Sequence, residues 1–344
     1  MLTDLPDFDD HEAVVFLSDK ASGLRAIIAM HDTTLGPAHG GTRAWAYESE
    51  ADAVTDVLRL SQGMTFKNAV AGLPLGGGKS VILLKPGERP SVEMLHAFGR
   101  AVDRLNGRYL PAEDVGIGPA MVREIASVTP HVLGVGAGED DAADPSPVTS
   151  LGIFCAIEEM LARETGSRDF AGKRVAVQGL GGVGGNLARL LHEAGASLVV
   201  ADMSDERCRE FQGACGAEVV APERIHAVEA DVFAPCALGA VLNARTIPEL
   251  GAGIICGGAN NQLADLPAGR ALDEAGVAYA PDFVANSGGV MWTSAPITGL
   301  DREEVEKKVR GIGATLSRIL DDVQPGETPQ EAAIRYARDV IDAA

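Results

Sequence analysis

The stretch "KRVAVQGLGGVGGNLARLLHEAGASLVVADMSD", residues 173–205, decides the fold, because it contains a short apolar strand, a glycine-rich turn, a helix and a second strand in that order. Gly179, Gly181 and Gly184 have the spacing G-x-G-x-x-G. The first glycine permits a tight turn, the second lets the backbone approach a pyrophosphate, and the third lets the helix pack against the strand. Amides at the start of the helix are available to phosphate oxygens. We therefore predict a Rossmann-type dinucleotide-binding turn.

A carboxylate at the end of this stretch bears on the choice of cofactor. Asp202 ends the second strand, where an acid accepts hydrogen bonds from an adenosine ribose and repels a 2′-phosphate. No arginine follows it directly, so NAD is favoured over NADP. Arg207 lies nearby in the sequence and leaves NADP open.

The rest of the chain has alternating strand and helix patterns, which predict an α/β fold. A length of 344 residues is typical of about two domains. At residues 134–147 the composition changes to Gly, Ala, Asp and Pro, which indicates an interdomain segment. The patterns predict strands at 13–17, 24–30 and 80–84, a short strand running into a loop at 108–114, helices at 51–71, 91–105 and 148–165, alternating elements to about 285, and two helices in 301–344.

Composition excludes several classes of function. The formal net charge of −20 argues against binding to nucleic acid or to an anionic membrane. The five cysteines form no C-x-x-C pair and no zinc-type spacing, so we predict free thiols in a reducing cytosol and no metal site. The N-terminus lacks the pattern of a signal peptide, and no apolar run reaches the roughly 18 residues of a membrane helix. We expect a cytoplasmic protein.

A second glycine-rich stretch, "GLPLGGGKSVILL" at residues 72–84, has the appearance of a nucleotide-binding P-loop. In the pattern G-x-x-x-x-G-K-[ST] the first glycine would fall on Leu73. The residues after Ser80 are β-branched and apolar, which predicts a strand rather than the helix that a P-loop requires. An NTPase is therefore the least favoured hypothesis.

Lys67 and Lys79 are the only charged residues between Ser61 and Leu84. Each alone is consistent with a solvated lysine whose stem lies along apolar surface. Together they fit the needs of an amino-acid substrate, whose carboxylate requires a fixed cation and whose oxidation requires a base. A lysine becomes such a base when burial and a nearby cation lower its pKa.

The stretch "AEDVG", residues 112–116, adds Glu113 and Asp114 after a short strand. A carboxylate in such a loop can exchange protons with a substrate nitrogen. A solvated acidic turn in an acidic protein is the alternative interpretation.

The complete set of motifs resembles the leucine/phenylalanine/valine dehydrogenase branch of the glutamate dehydrogenase superfamily. The matching stretches occur in order between residues 36 and 290. They are "GPAHGGTRAW", "MTFKNAVAGLPLGGGKSVI", "AEDVG", "DPSPVTSLGIF", "VQGLGGVGG", "FAPCALGAVLN", "GGANNQL" and "ANSGGV".

The resemblance implies an N-terminal α/β domain at 1–133 for substrate binding, catalysis and oligomerisation. It implies a doubly wound, NAD-binding Rossmann domain at 148–325, with a cleft between the two domains. The C-terminal helix at about 328–344 is expected to pack back on the first domain. A homo-oligomer, at least a dimer, is also expected.

The resemblance gives roles to individual residues. Lys67 would bind the substrate carboxylate, Lys79 would be the general base that activates water, and Asp114 would exchange protons with the amino nitrogen. The other substrate-binding positions would be His39, Gly40, Gly41, Ala112, Asn261, Asn286, Val290 and Thr293. The cofactor-binding positions would be Thr149, Gly179, Gly181, Gly182, Val183, Gly184, Asp202, Ala237 and Asn260.

The implied reaction is the NAD-dependent, reversible oxidative deamination of an L-amino acid with an apolar or aromatic side chain, giving a 2-oxo acid and ammonia. His39 departs from the pattern, because leucine dehydrogenases usually have leucine there and glutamate dehydrogenases have lysine. Without the lysine, glutamate is disfavoured. Three possibilities stay open for the histidine: it stacks on an aromatic substrate side chain, forms a hydrogen bond with a polar one, or points away from the substrate. Two alternatives stay open: a polar substrate selected by His39, and a catalytically silent NAD-binding sensor.

Overall fold

The computed structural model describes residues 2–5, 7–135 and 144–344. Its contacts divide the chain into two compact units. Unit 1 comprises Met1–Asp144, Thr293–Gly299 and Ala337–Ala344, and unit 2 comprises Pro145–Trp292 and Leu300–Tyr336. Most of the predicted interdomain segment, at 136–143, lies outside the described residues. The domain boundaries taken from the sequence remain predictions.

The described part of unit 1 contains a five-stranded mixed sheet with the order β1-β2-β4-β3-β5. Strands β1, β2 and β4 pair antiparallel, whereas β4, β3 and β5 pair parallel. The strands are β1 Ala13–Asp19, β2 Leu24–Asp32, β3 Ala38–Trp45, β4 Gly76–Leu83 and β5 Tyr109–Ala112. The helices are α1 Glu50–Val70, α2 Val92–Asp103 and α3 Pro119–Ala126.

Helices cover both faces of this sheet. Helix α1 packs on one face, where Val57 and Val81 belong to the same buried cluster. Helices α2 and α3 pack on the other face, where Ile82 is buried. Because side chains alternate along a strand, Lys79 lies on the α1 face and Ser80 lies on the opposite face. The alternation therefore presents the lysine to one side of the sheet only.

The described part of unit 2 contains a six-stranded parallel sheet with the order β11-β10-β9-β6-β7-β8. Counted from its first strand, this is the Rossmann order 3-2-1-4-5-6, and such folds bind ligands where the order reverses, here between β6 and β9. The strands are β6 Arg174–Gln178, β7 Ser197–Ala201, β8 Glu218–Val219, β9 Ala230–Pro235, β10 Ala252–Ile255 and β11 Ala278–Tyr279. The helices after residue 145 are α4 Ser146–Thr165, α5 Gly182–Glu193, α6 Asp205–Cys215, α7 Leu266–Glu274, α8 Asp282–Ala285, α9 Gly288–Thr293, α10 Ala295–Thr298, α11 Arg302–Arg310, α12 Ile312–Asp321 and α13 Pro329–Asp342.

Several elements differ from the sequence-based expectations. Strand β3 was not predicted, and β4 begins at Gly76 within the glycine run rather than at residue 80. The prediction of two helices in 301–344 was wrong, because this range contains α11, α12 and α13. The Gly311 amide donates a hydrogen bond to the Lys308 carbonyl oxygen, and α11 ends there before α12 begins. The predicted start of the last helix is confirmed by a reciprocal pair of hydrogen bonds between Thr328 and Glu331.

In the described part of the chain, no helix is long and apolar enough to cross a membrane. The same residues contain no group of three or more His, Cys, Asp or Glu placed to hold a metal ion. The five cysteines form no disulfide bonds.

Gly77 tests the contact between α1 and the sheet. A methyl group added there would lie 2.0 Å from Thr65 Oγ1 and 2.5 Å from the Ser61 carbonyl oxygen, both on α1. We expect Gly77→Ala to lower the free energy of unfolding by about 1–3 kcal/mol in urea titrations, since the helix must move. Gly253→Ala in β10 is the control, because a methyl group there meets no atom within 4 Å. Equal effects of the two substitutions would contradict this packing.

Candidate functional site

Lys79 and Asp114 form an ion pair in unit 1. Lys79 Nζ donates a hydrogen bond to Asp114 Oδ2, and only 8% of the lysine side chain and 15% of the aspartate side chain are exposed. Asp114 lies in the loop after β5. The loop is fixed by the Ile117 amide, 2.9 Å from the Asp114 carbonyl oxygen, and by the Val115 amide, 2.6 Å from Asp114 Oδ1. The predicted catalytic residues are therefore in direct contact, and Asp114 rather than Glu113 forms the pair.

Gly40 and Gly41 allow this contact because they leave room for neighbouring backbone. A methyl group on Gly41 would lie 2.3 Å from the Glu113 carbonyl oxygen, on the loop that carries Asp114. A methyl group on Gly40 would lie 1.7 Å from the Gly78 carbonyl oxygen. Any side chain at these positions would push the loop or β4 away from the site.

The environment of Lys79 lowers its pKa to about 7. Burial is the main cause, because it disfavours the charged amine, and the cations of Arg43 and Lys67 act in the same direction. The carboxylates of Asp56 and Asp114 oppose them by favouring the protonated amine. A lysine with this pKa can give and take a proton near neutral pH.

Arg43 is a site residue that the sequence analysis missed. Its Nη2 lies 3.7 Å from Asp114 Oδ1, and its Nη1 lies 2.8 Å from Asp56 Oδ2. Tyr47 donates a second hydrogen bond to Asp56 Oδ2, at 2.6 Å. Alternation along β3 would have placed Arg43 on the same face as Gly41, but only if β3 had been recognised as a strand.

His39 is buried on the same face of the sheet as Lys79, because it is paired with Gly77 on β4. Its Nδ1 donates to the Leu110 carbonyl oxygen at 2.9 Å. Burial, with a smaller contribution from the Lys79 charge, lowers the pKa of His39 to about 4, so the ring is neutral. Its Nε2 has no hydrogen-bond partner among the described residues and is left as an acceptor.

The other predicted residues of unit 1 lie on several of its elements. Lys67 is half-buried near the end of α1, close enough for its charge to affect Lys79. Ala112 is buried at the end of β5 and pairs with Gly41. Thr293 also belongs to unit 1 and lies near Gly134.

The glycine-rich turn of unit 2 has the predicted form. Gly179 has a φ of +89°, and a methyl group on Gly184 would lie 1.9 Å from the Gly179 carbonyl oxygen. Gly181 precedes α5, which has no side-chain cap, and the space beside it is open. Gly182 and Val183 form the first turn of α5. The amides of that turn are thus available to a phosphate.

Asp202 lies at the end of β7 beside a cavity of about 340 Å³. Its Oδ2 accepts the Leu180 amide at 2.6 Å and its Oδ1 accepts the Ser204 amide at 2.8 Å. Arg207 Nη1 lies 3.8 Å from Oδ1 and is half-exposed. The cavity is lined at its other side by Ala237 and the residues that follow it, and Ala237 lies against Gly179.

Polar side chains collect near α8 and α9 in the same unit. Asn286 Nδ2 donates to Asn260 Oδ1 at 2.8 Å, and the buried Asn286 Oδ1 has no partner among the described residues. Thr149 lies against Gly289, next to Val290. Asn261 is exposed, and its backbone carbonyl oxygen accepts a hydrogen bond from the Ala240 amide at 2.7 Å.

A classical Rossmann strand order, an uncapped helix start behind a glycine turn and an acid at the end of the second strand define a dinucleotide-binding protein. The Glu/Leu/Phe/Val dehydrogenase dimerisation domain matches residues 11–131. The Glutamate/Leucine/Phenylalanine/Valine dehydrogenase model matches residues 143–208 and 200–324. The chain belongs to this family, and it is an amino-acid dehydrogenase, an oxidoreductase. The sequence-based resemblance is confirmed.

Individual relatives are similar over nearly their whole length. Leucine dehydrogenase of Bacillus subtilis is 45% identical over 97% of this chain and 92% of its own. Phenylalanine dehydrogenase of Lysinibacillus sphaericus is 38% identical over 97% of this chain and 89% of its own. The crystal structure of L-tryptophan dehydrogenase from Nostoc punctiforme has a TM-score of 0.85 at 43% identity, covering 97% of this chain and 96% of that one. Family and fold together imply a nicotinamide cofactor.

The lowered pKa of Lys79 is testable without turnover. In protein labelled with ¹³C-lysine, we expect the Lys79 Cε signal to titrate with a midpoint near pH 7, because the amine is buried beside cations. Lys79→Arg assigns the signal. The signal of the exposed Lys85 is the control. A Lys79 amine that remains charged up to pH 9 would contradict the electrostatics described above.

Proposed function

We propose that this protein catalyses the NAD-dependent, reversible oxidative deamination of an L-amino acid with an apolar or aromatic side chain, giving a 2-oxo acid and ammonia. The observation that carries the proposal is the buried Lys79–Asp114 pair, in which the lysine pKa is about 7. Lysine at this pKa meets the requirement for a general base near neutral pH. The relatives named above act, by their names, on leucine, phenylalanine and tryptophan.

In the proposed mechanism Lys67, Lys79 and Asp114 have separate tasks. Lys67 binds the substrate α-carboxylate. Lys79, in its neutral form, takes a proton from the water that adds to the iminium carbon. Asp114 accepts and returns protons at the nitrogen, and Lys79, once it has passed its proton to Asp114, takes the carbinolamine hydroxyl proton as ammonia leaves and the 2-oxo acid forms. A contact between Lys79 and Asp114 lets the proton pass directly from one to the other.

The residues of unit 2 fit a nicotinamide dinucleotide. The open space beside Gly181 and the uncapped start of α5 fit a pyrophosphate, and the unpartnered Asn286 Oδ1 fits the amide of a nicotinamide. The chemistry that such a cofactor would supply, once held there, is acceptance of a hydride from the substrate Cα. Asp202 supports NAD over NADP, because a ribose hydroxyl can donate to it and a 2′-phosphate is repelled. We propose that Thr149 and Asn260 lie beside the nicotinamide.

His39 bears on the substrate side chain. Its neutral imidazole cannot form an ion pair with a second carboxylate, which supports exclusion of glutamate. The small Ala112 on the same face leaves room for a bulky group. Because Nε2 is an acceptor, a polar side chain that donates a hydrogen bond is the second candidate substrate.

We propose a cytoplasmic homo-oligomer, at least a dimer. The free thiols are typical of a reducing compartment. The matched family model of residues 11–131 is described as a dimerisation domain. Strand β1 is an edge strand, and Phe16 on it is 53% exposed, a surface that subunit pairing would cover.

Turnover of an amino-acid panel tests the function. With NAD at mildly alkaline pH, we expect NADH formation with leucine, valine, phenylalanine or tryptophan and not with glutamate. Lys79→Ala should lower kcat by about 10²–10⁴-fold, because general-base assistance is lost. Lys85→Ala, the exposed control, should keep full activity. If no NADH forms with apolar, aromatic or polar amino acids while NAD binding is verified, the result would support a catalytically silent sensor instead.

Replacement of Asp202 tests the choice of cofactor. Asp202→Ala should weaken NAD affinity by about tenfold or more, because a charge-assisted hydrogen bond is lost. It should also improve NADP use, since it frees the Leu180 and Ser204 amides and Arg207 for a phosphate. Asp205→Ala, at the exposed start of α6, is the matched control and should change neither. An unchanged NAD/NADP ratio in Asp202→Ala would remove this residue from cofactor selection.

A further inference from the structure

The Asp114 carboxylate lies between two cations. Lys79 Nζ contacts Oδ2, whereas Arg43 Nη2 lies 3.7 Å from Oδ1. Alternation along β3 and β4 brings both cations to the α1 face of the sheet. Arg43 therefore acts on the same carboxylate as Lys79, through its other oxygen.

The guanidinium of Arg43 is itself held in place. Its Nη1 lies 2.8 Å from Asp56 Oδ2 on α1, and Tyr47 donates to the same oxygen at 2.6 Å. Burial and the Asp56 carboxylate raise the pKa of Tyr47, so its phenol keeps the proton that it donates. The arrangement connects the end of β3 and the helix to the Asp114 loop.

The orientation of Arg43 does not follow from satisfying its own hydrogen bonds. Its Nε is buried and has no partner among the described residues. A buried donor without a partner is unfavourable and therefore rare. Its presence here calls for an explanation. A position beside Asp114 provides one.

We propose that Arg43, held by Asp56 and Tyr47, is a positioning residue that fixes the Asp114 carboxylate and supplies a second permanent cation beside the Lys79 amine. The role in catalysis rests on the proposed function, whereas the electrostatic role does not. Arginine suits the task because its planar fork contacts two carboxylates at once and stays charged at any physiological pH.

The charges around Lys79 determine the sign of the effect. The groups that face its amine are Arg43 of β3, Asp56 and Lys67 of α1, and Asp114 of the loop after β5, together with the neutral His39 of β3. Removal of the Arg43 cation leaves burial and Lys67 as the influences that oppose the two carboxylates. The protonated amine is then favoured, and Lys79 loses its proton only at higher pH.

The first experiment uses the ¹³C-lysine titration of the full-length protein. Arg43→Gln should move the Lys79 midpoint upward by about one pH unit, the change typical of losing a nearby charge. Arg59→Gln is the matched control, because Arg59 also lies on this unit but is 68% exposed and pairs with Asp7. An Arg43→Gln midpoint that coincides with the wild type would overturn the electrostatic role.

The second experiment uses Arg43→Lys, which keeps the cation and loses the fork. The Lys79 midpoint should stay near its wild-type value, while kcat should fall about tenfold or more because Asp114 is no longer fixed. Full kcat in a folded Arg43→Lys protein would overturn the positioning role, even if Arg43→Gln fails to fold. Absence of turnover in the wild type would reject the proposed function and leave the titration result standing.

Discussion

The burial of the Lys79 amine against the Asp114 carboxylate is the interaction on which the rest of unit 1 depends. A charge in a protein interior is strongly unfavourable unless it is paired and hydrogen-bonded, and loss of one partner leaves the other uncompensated. Several charged groups surround Lys79. The cations of Lys67 and Arg43 disfavour the protonated form of the amine, whereas the carboxylates favour it. Because burial, together with these cations, outweighs the carboxylates, the amine exchanges its proton near neutral pH instead of remaining a fixed cation.

Glycine residues make this arrangement possible, because they have no side chain and let neighbouring backbone approach closely. Helix α1 lies directly on Gly77, and the loop that carries Asp114 lies directly on Gly41. The glycine run before Lys79 is therefore part of strand β4 and lets α1 pack closely on the sheet. If the sequence "GGGKS" were followed by a helix, its backbone amides would be available to a nucleotide. Here β-branched residues follow it, so the stretch forms β4 and Lys79 faces α1.

Features that depend on neighbours in the sequence were predictable, and features that depend on register were not. The dinucleotide turn, its helix and Asp202 lie within one continuous βαβ stretch, so spacing alone predicts their geometry. Strand β3 escaped prediction, because "AHGGTRAW" has few β-branched residues and its glycines weaken any strand pattern. Without β3, nothing in the sequence connects Arg43 to Asp114, since their proximity depends on the pairing of β3 with β4 and β5. The division of the tail at Gly311 is likewise a local hydrogen-bond choice that periodicity does not reveal.

Under the proposed function, substrate selection follows from charge more than from size. An amino acid brings one carboxylate, and Lys67 is suited to bind it. A second carboxylate on the side chain would meet the neutral ring of His39, where burial without a counter-charge is unfavourable. Among apolar side chains the discrimination is weaker, because one methylene in an apolar pocket is worth only about 1–3 kcal/mol. In that proposal the electrostatics of unit 1 favour apolar and aromatic amino acids as a class, without choosing among them.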